Sequence, residues 1–265
     1  KLTFASLIWH DLRDVDLRGA DLSKANLTGA NLVGANLSGI NLSGANLTNA
    51  HLKGAYLIDA DITNATIRKE TLNQAILCNT RTIDGTVSDC DLRKVDFTMT
   101  NLSDVDLRGK DLTGANLSGV DLSDKDLTGT TLIQANLSKA NLSGVDLRDK
   151  DLTGANLSGV DLSGKDLSGT TLVQANLSGT NLSGVDLRDK DLTGTNLSGV
   201  DLSGKDLTGT TLIQANLSEA NLSGFDLSGK DLTGANLSGV DLSGKDLSGT
   251  TLTQANLSEA NLSGF

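Results

Sequence analysis

Large apolar residues recur at every fifth position of this 265-residue chain, from Leu2 to Leu262, without a change of phase. Leucine holds 48 of these 53 positions. The exceptions are Ile62, Ile67, Thr82, Val87 and Phe97. A period of five matches neither the 3.6-residue period of a helix nor the two-residue period of a strand. The pattern therefore predicts a repeat array, and arrays of this kind usually act by presenting a surface.

The array has two regions that share one phase. Residues 1–104 are an irregular version of the repeat, whereas residues 105–264 are four near-identical repeats of forty residues. Neighbouring forty-residue repeats match at 34, 35 and 34 of 40 positions, which indicates duplication or design. Their bounds are 105–144, 145–184, 185–224 and 225–264.

Between the two regions, over residues 64–90, the pattern decays, and Thr82 stands where a leucine is expected. Two interpretations compete. Either the repeat continues there with poor sequence, or part of the stretch forms a short helical insert that contains Ile67, Leu72, Ile76 and Leu77. The five-residue phase survives the stretch, and this favours continuous, degenerate coils.

Pentads such as residues 25–29 (ANLTG) and 115–119 (ANLSG) read A-(D/N)-L-(S/T)-G over nearly the whole chain. This pattern resembles that of the pentapeptide-repeat family. The resemblance implies an all-β fold, a right-handed quadrilateral β-helix with four pentads per coil. It also implies that the leucine and the small residue two positions before it point inward. We therefore expect one domain over residues 1–265, with about thirteen coils and, at a strand spacing of about 4.8 Å, a length of roughly 60 Å.

With four pentads per coil, residues twenty apart stack on one another and form four faces. The third face carries asparagines, whose amides can hydrogen-bond along the stack. The first face carries eight aspartates and four lysines, which together form the candidate binding surface. These residues are Asp106, Asp126, Asp146, Asp166, Asp186, Asp206, Asp226, Asp246, Lys125, Lys165, Lys205 and Lys245.

The lysines conflict with the family pattern, because they stand at the inward position two before a leucine. A second row on the next face holds Lys110, Lys150, Lys190 and Lys230. Burial of unpaired ammonium groups is strongly unfavourable, so the side chains must either snorkel outward or open the wall locally. Balancing the charge of the stacked aspartates is the preferred role, and a functional lysine row is the alternative.

The chain has a net charge of −11, so we expect no direct binding to nucleic acid, although basic protein surfaces could be attracted. No apolar run approaches the ~20 residues that cross a bilayer, and no secretory signal is visible. Both ends look like cuts in a longer protein. The two cysteines, Cys78 and Cys90, occupy different pentad positions. They are predicted to be free, which favours a reducing compartment, either the cytoplasm or the target of a delivered effector.

Catalytic and metal-binding patterns are missing from the sequence. His10 and His51 do not suggest a metal pair, and the many hydroxyls lack a histidine partner, so we expect no enzyme, cofactor or metal. The preferred function is a binding or scaffold module for a protein partner of unknown identity. One alternative follows from the resemblance: some family members mimic duplex DNA and bind type II topoisomerases such as gyrase, typically as dimers joined by a C-terminal cap that this chain lacks. The other is a rod that associates end to end, with Phe4 and Trp9 as candidate caps.

Overall fold

The computed structural model describes residues 1–98, 100, 102 and 105–264. The chain divides into two compact units, Lys1–Val105 and Asp106–Phe265. Each unit is built from short extended segments joined by tight turns, and each is described by itself.

Parallel β-bridges between residues twenty apart build the first unit. Ser6 pairs with Asn26, and Asn26 pairs with Asn46, with further bridges at five-residue intervals. In the Ser6–Asn26 bridge, the Asn26 amide donates to the Ala5 carbonyl at 2.8 Å, and the Leu7 amide donates to the Asn26 carbonyl at 2.8 Å. Four bridged positions in twenty residues give each coil four sides, as the sequence predicted. The number of about thirteen coils stays a prediction.

The pentad sequence explains the corner that ends each side. The side-chain oxygen of Asn26 accepts hydrogen bonds from the Thr28 amide at 3.1 Å and the Thr28 hydroxyl at 2.6 Å. The Ala30 amide then closes the turn on the Leu27 carbonyl at 3.0 Å. The intervening residue, Gly29, has a φ of 68°, a left-handed conformation that glycine adopts without a steric penalty. Short polar side chains and glycine therefore recur because every corner repeats this geometry.

The leucines and the small residues two positions before them form the core. Leu27 and Ala25 are buried in the first unit, as are Leu157 and Ala155 in the second. Because the leucine stands at the middle of each side, one side chain per pentad fills the narrow interior. The inward orientation implied by the pentad is confirmed.

The only helix among the described residues lies in the degenerate stretch. This helix, α1 (Lys69–Leu72), occupies one corner and is far too short to span a membrane. Strands β1 (Tyr56–Ile58) and β2 (Ile76–Cys78) flank it and pair in parallel, with Tyr56 opposite Ile76. The twenty-residue register therefore passes through the helical turn instead of being broken by it.

The last parallel bridge of the continuous coils joins Arg81 to Asp61, and the last coil-to-coil bond runs from the Asn64 amide to the Ile83 carbonyl at 3.0 Å. Arg81 then forms an antiparallel bridge with Val87, so the chain turns back on itself. The turn is stabilised by Asp84, which accepts hydrogen bonds from the threonines on either side, and by Gly85, whose φ is 82°. The prediction of degenerate coils through residue 90 is correct to Ile83 and wrong beyond it.

A disulfide joins Cys78 to Cys90. The prediction of free cysteines is wrong, because it assumed an undisturbed coil in which the two side chains point to different sides. The hairpin reverses the chain and brings the two Cα atoms to 4.0 Å. The argument for a reducing compartment rested on free thiols and loses its support.

Residues 82–98, the strap, also contribute to a second cluster of buried side chains. Phe97 of the strap packs against Tyr56, with ring centroids 6.3 Å apart. Both rings are buried, and burial raises the pKa of the Tyr56 hydroxyl. Among the described residues, that hydroxyl has no hydrogen-bond partner. A cleft of about 710 Å³ lies between β2 and the strap.

Candidate functional site

The second unit has four faces with different backbone pairing. Face one carries Asp106 and every twentieth residue after it; faces two, three and four start from Asp111, Asn116 and Asp121. Each forty-residue repeat contains two coils, here called coil A (the first twenty residues) and coil B (the second twenty). Because the repeats are nearly identical, their contacts recur with a period of two coils.

Face three is paired without interruption from Asn116 to Asn256. Its side chains add a second ladder, in which the amide nitrogen of each asparagine donates to the side-chain oxygen of the one twenty residues earlier. Asn176, for example, donates to Asn156 at 3.1 Å and accepts from Asn196 at 3.0 Å. The predicted amide ladder is confirmed, and it makes face three the most extensively bonded face.

Faces two and four are paired only within each forty-residue repeat. Asp151 pairs with Thr171, and Asp161 pairs with Asn181. Among residues 111–261, all of which the structure describes, no bridge links Thr171 to Asp191 of the following repeat. Consecutive repeats are therefore joined by backbone pairing through face three.

Face one lacks β-bridges between coils, and within each repeat it keeps one backbone hydrogen bond at the corner, such as that from the Asp149 amide to the Ser168 carbonyl at 2.9 Å. Between residues 126 and 246, no β-bridge involves its aspartates. Lysine side chains cross this wall instead. Within one repeat, the Lys165 ammonium donates to the Val145 carbonyl at 2.8 Å, a position where Asp166 would supply a backbone amide in a regular ladder. Equivalent bonds join Lys205 to the Val185 carbonyl at 3.1 Å and Lys245 to the Phe225 carbonyl at 2.9 Å.

The second lysine row bridges consecutive repeats at the adjacent corner. Lys190 donates to the Leu167 carbonyl, and Lys230 donates to the Leu207 carbonyl at 2.6 Å. At the same inward position coil B has threonine, and these hydroxyls donate to leucine carbonyls at 2.7–2.8 Å. The threonines are Thr130, Thr170, Thr210 and Thr250. Face one, which has no β-bridges between its described coils, is called the lysine seam together with the lysines and threonines that cross it.

The lysines of both rows are half-buried. Of the two possibilities that the sequence left open, the structure supports local opening of the wall. An ammonium group carries three donors, so the backbone carbonyls of the opened wall satisfy it without a buried carboxylate.

The aspartates of face one are exposed. In coil A of the first three repeats they pair with the arginine two positions later, as in Arg148–Asp146 at 2.6 Å and Arg188–Asp186 at 2.6 Å, whereas Asp226 of the fourth repeat accepts from the Ser228 amide. The hydrogen bond from Arg188 lowers the pKa of Asp186 to about 2. In coil B the carboxylate bonds a hydroxyl, as in Thr208 to Asp206 at 2.5 Å. The direct ionic partners of these aspartates are therefore arginines, while Lys165, Lys205 and Lys245 donate to backbone carbonyls.

Three clefts on face one recur every forty residues, with volumes of about 720, 360 and 520 Å³. Each lies between coil B of one repeat and coil A of the next. The predicted site residues in these clefts are Lys125, Asp126, Asp146, Lys165, Asp166, Asp186, Lys205, Asp206 and Asp226. Asp106, Asp246 and Lys245 lie on the same face beyond the clefts.

Three cleft lysines, Lys150, Lys190 and Lys230, were not assigned to the site from the sequence. By sequence position these lysines belong to face two. Each face was considered separately in the sequence, and it was therefore not predicted that these lysines line clefts on face one. The signal was present, because the two lysine rows stand at the two ends of face one. Within the part of the chain that the structure describes, no group of three or more acidic, histidine or cysteine side chains is placed to hold a metal ion.

Comparison with known proteins identifies the repeat. The sequence profile of the pentapeptide repeats matches in eight copies, within residues 1–39, 40–79, 72–109, 111–149, 151–189, 191–229 and 231–265. The chain belongs to the pentapeptide repeat family. Proteins of this family fold as right-handed quadrilateral β-helices, in agreement with the four-sided, parallel-bridged coils.

Solved structures of pentapeptide repeat proteins are similar to this chain. HetL, involved in heterocyst differentiation regulation in the cyanobacterium Nostoc sp. strain PCC 7120, is 27% identical over 98% of this chain and 91% of its own, with a TM-score of 0.24. The fluoroquinolone resistance protein QnrB1 is 18% identical over 86% of this chain and 92% of its own, with a TM-score of 0.33. Rfr23 from the cyanobacterium Cyanothece 51142 is 27% identical over 57% and 90% of the two chains, with a TM-score of 0.18. A comparison with curated protein sequences finds no match.

Proposed function

We propose that this pentapeptide repeat protein is a non-enzymatic module that binds a protein partner through face one of its second unit. The observation that carries the proposal is the recurrence of the same cleft every forty residues along a row of exposed carboxylates. Two stacked coils separate equivalent groups, so the array repeats at about 9.6 Å. A partner with its own regular spacing could engage several equivalent positions at once, which raises avidity without a strong single contact.

The coil B aspartates are the principal contact candidates. Asp126, Asp166 and Asp206 are exposed and lack an arginine in their own pentad. Basic side chains of a partner could approach them, and the exposed hydroxyls beside them could add hydrogen bonds. Catalysis is not proposed, because the clefts are shallow, repeated and lined by side chains with structural partners.

Two triple variants of equal charge test the proposal. One replaces Asp126, Asp166 and Asp206 with alanine; the other replaces Asp121, Asp161 and Asp201 of face four. Cross-linking and quantitative capture from a bacterial extract should recover a partner with the wild type and the face-four variant, and lose it with the face-one variant. The purified partner should then show the same ranking in direct titration. Equal binding by both variants would reject face one as the binding surface.

The alternatives from the sequence have separate readouts. Inhibition of supercoiling by purified gyrase would support the DNA-mimic alternative. Concentration-dependent mass in sedimentation, in the absence of any partner, would support a self-assembling rod. Either result, together with failed capture, would replace the binding-module proposal.

A further inference from the structure

Backbone pairing in the second unit is distributed unequally around the coil. Where Asn156 and Asn176 meet on face three, the Leu157 amide donates to the Asn176 carbonyl at 2.8 Å, and the Asn176 amide donates to the Ala155 carbonyl at 2.8 Å. On face one, the corner bond from the Asp149 amide to the Ser168 carbonyl is kept at 2.9 Å, but the two central backbone bonds are missing and a single bond from the Lys165 ammonium to the Val145 carbonyl takes their place. One flexible side chain therefore replaces two backbone hydrogen bonds.

Contacts between consecutive repeats follow the same asymmetry. From the repeat 145–184 to the next one, the Gln174 amide donates to the Thr193 carbonyl at 2.8 Å and the Leu177 amide to the Asn196 carbonyl at 2.8 Å. Both bonds lie at or beside face three. On the opposite side the repeats meet across a cleft of about 360 Å³, which the Lys190 side chain crosses.

We propose that each forty-residue repeat is a hinged module, with its hinge on the asparagine ladder of face three and its opening at the lysine seam of face one. On face one, the lysine at the inward position of coil B is what holds the wall open. Alanine occupies the same position on face three, as at Ala155, and there the backbone ladder is closed. Bending between repeats is concentrated at the seam, so the spacing of groups on face one can change while face three keeps its spacing. This inference rests on the wall geometry and is independent of the proposed function.

Amide hydrogen exchange in the intact chain provides the first test, because each coil contains its own reference. The amides of Leu147, Leu167 and Leu187 on face one should exchange at least a hundredfold faster than those of Leu157, Leu177 and Leu197 on face three. All six are leucines at the same pentad position and are buried. Rates that agree within threefold would overturn the proposal, since they would require a closed ladder on face one.

Substitution of one lysine tests whether the side chain causes the opening. Lys165→Ala should let the wall close, so that the Leu147 and Asp166 amides exchange at least tenfold more slowly. Lys139→Ala is the matched control, because Lys139 is an exposed corner residue outside the seam. Unchanged exchange in a folded Lys165→Ala variant would show that the lysine is not the cause and would overturn the proposal.

A distance measurement keeps the proposal testable if the lysine variant does not fold. Spin labels at Thr128→Cys and Ser248→Cys report on face one, and labels at Ser118→Cys and Ser238→Cys report on face three. Both pairs are 120 residues, or six coils, apart, which corresponds to roughly 29 Å for a closed ladder. The face-one pair should show a longer mean distance and a broader distribution. Equal means and widths would contradict the hinge.

Discussion

Replacing Asn176 with alanine should destabilise the second unit measurably, although the residue is only half-buried and lies outside the leucine core. Its amide nitrogen donates to Asn156, and its side-chain oxygen accepts from Asn196 and from the Ser178 amide, at 3.0–3.1 Å. Alanine removes all three hydrogen bonds but leaves the backbone pairing intact. The experiment therefore isolates the contribution of the side-chain ladder.

The expected loss follows from these three bonds. A protein hydrogen bond contributes about 0.5–1.5 kcal/mol net, and water partly replaces it at a half-exposed site, so the total should be about 1.5–2.5 kcal/mol. Asn176→Asp retains the two accepted bonds but sets a carboxylate oxygen against the Asn156 side-chain oxygen, so its loss at neutral pH should be at least as large as that of the alanine variant. Ser178→Ala is the matched control, because its hydroxyl forms no hydrogen bond in the described structure. Its effect should stay within about 0.5 kcal/mol.

Urea unfolding at 25 °C, followed by circular dichroism, measures these differences as shifts of the midpoint at constant slope. Exchange of the Leu157 amide, which donates to the Asn176 carbonyl, reports the local effect. If Asn176→Ala and Ser178→Ala shift the midpoint equally, water replaces the side-chain ladder without loss, and the backbone bonds alone distinguish face three from face one.

Three further outcomes are expected. Leu157→Ala should cost about 2–5 kcal/mol because the side chain is fully buried, whereas Leu262→Ala, at 44% exposed, should cost far less; similar urea midpoints would contradict the inward orientation of Leu157. Reduction of the Cys78–Cys90 disulfide should release a constraint worth about 3 kcal/mol and make the strap the first site of proteolysis, without a change in the exchange of the second unit; an uncut strap would show that other contacts hold it. Hydrogen bonds from neighbouring threonines lower the pKa of Asp84 to about 2, so its stabilisation is complete above its unfolded pKa of about 3.9 and is lost as the pH falls to 2. Strap proteolysis by an acid-active protease should rise over that window, and Asp84→Asn should remove the pH dependence.

Periodicity predicted a repeat array, and the resemblance to pentapeptide repeat proteins supplied the rest of the register. The resemblance implied four pentads per coil, which place residues twenty apart on top of one another, and it implied the inward leucines and alanines. The asparagine ladder follows from that register. Each depends on a neighbour one coil away, and in a repeat array that neighbour is known from the sequence.

The strap could not be predicted in the same way, because it depends on where the chain leaves the register. The preserved phase across residues 64–90 favoured continuity, yet Val87 keeps the phase while its β-bridge to Arg81 is antiparallel. A local signal was available in Asp84-Gly85, since an Asp-Gly pair is a strong hairpin turn signal. Once the hairpin is recognised, the antiparallel return brings Cys90 towards Cys78, and the disulfide follows.

The lysines were recognised as a conflict, but their consequence required the structure. Both snorkelling and wall opening satisfy an ammonium group, and the choice depends on whether backbone carbonyls can leave their ladder. On face one they do, at Val145, Val185 and Phe225. Face one, the candidate binding surface predicted from the sequence, is therefore the face whose backbone pairing is unusual. Its lysines contact backbone carbonyls rather than the aspartates.

The position of the lysines also accounts for the period of forty residues, which is twice the coil. Each coil has one inward lysine at an end of face one: coil A has it where face two begins, and coil B has it where face one begins. Lys165 consequently stacks between Val145 and Val185, and Lys190 stacks between Thr170 and Thr210. Placing a lysine in the same position of every coil would bring ammonium groups to about 4.8 Å, where their repulsion is roughly 3–4 kcal/mol at an effective dielectric constant of about 20. Alternation doubles that separation and halves the repulsion, so a wall held by lysines favours a repeat of two coils.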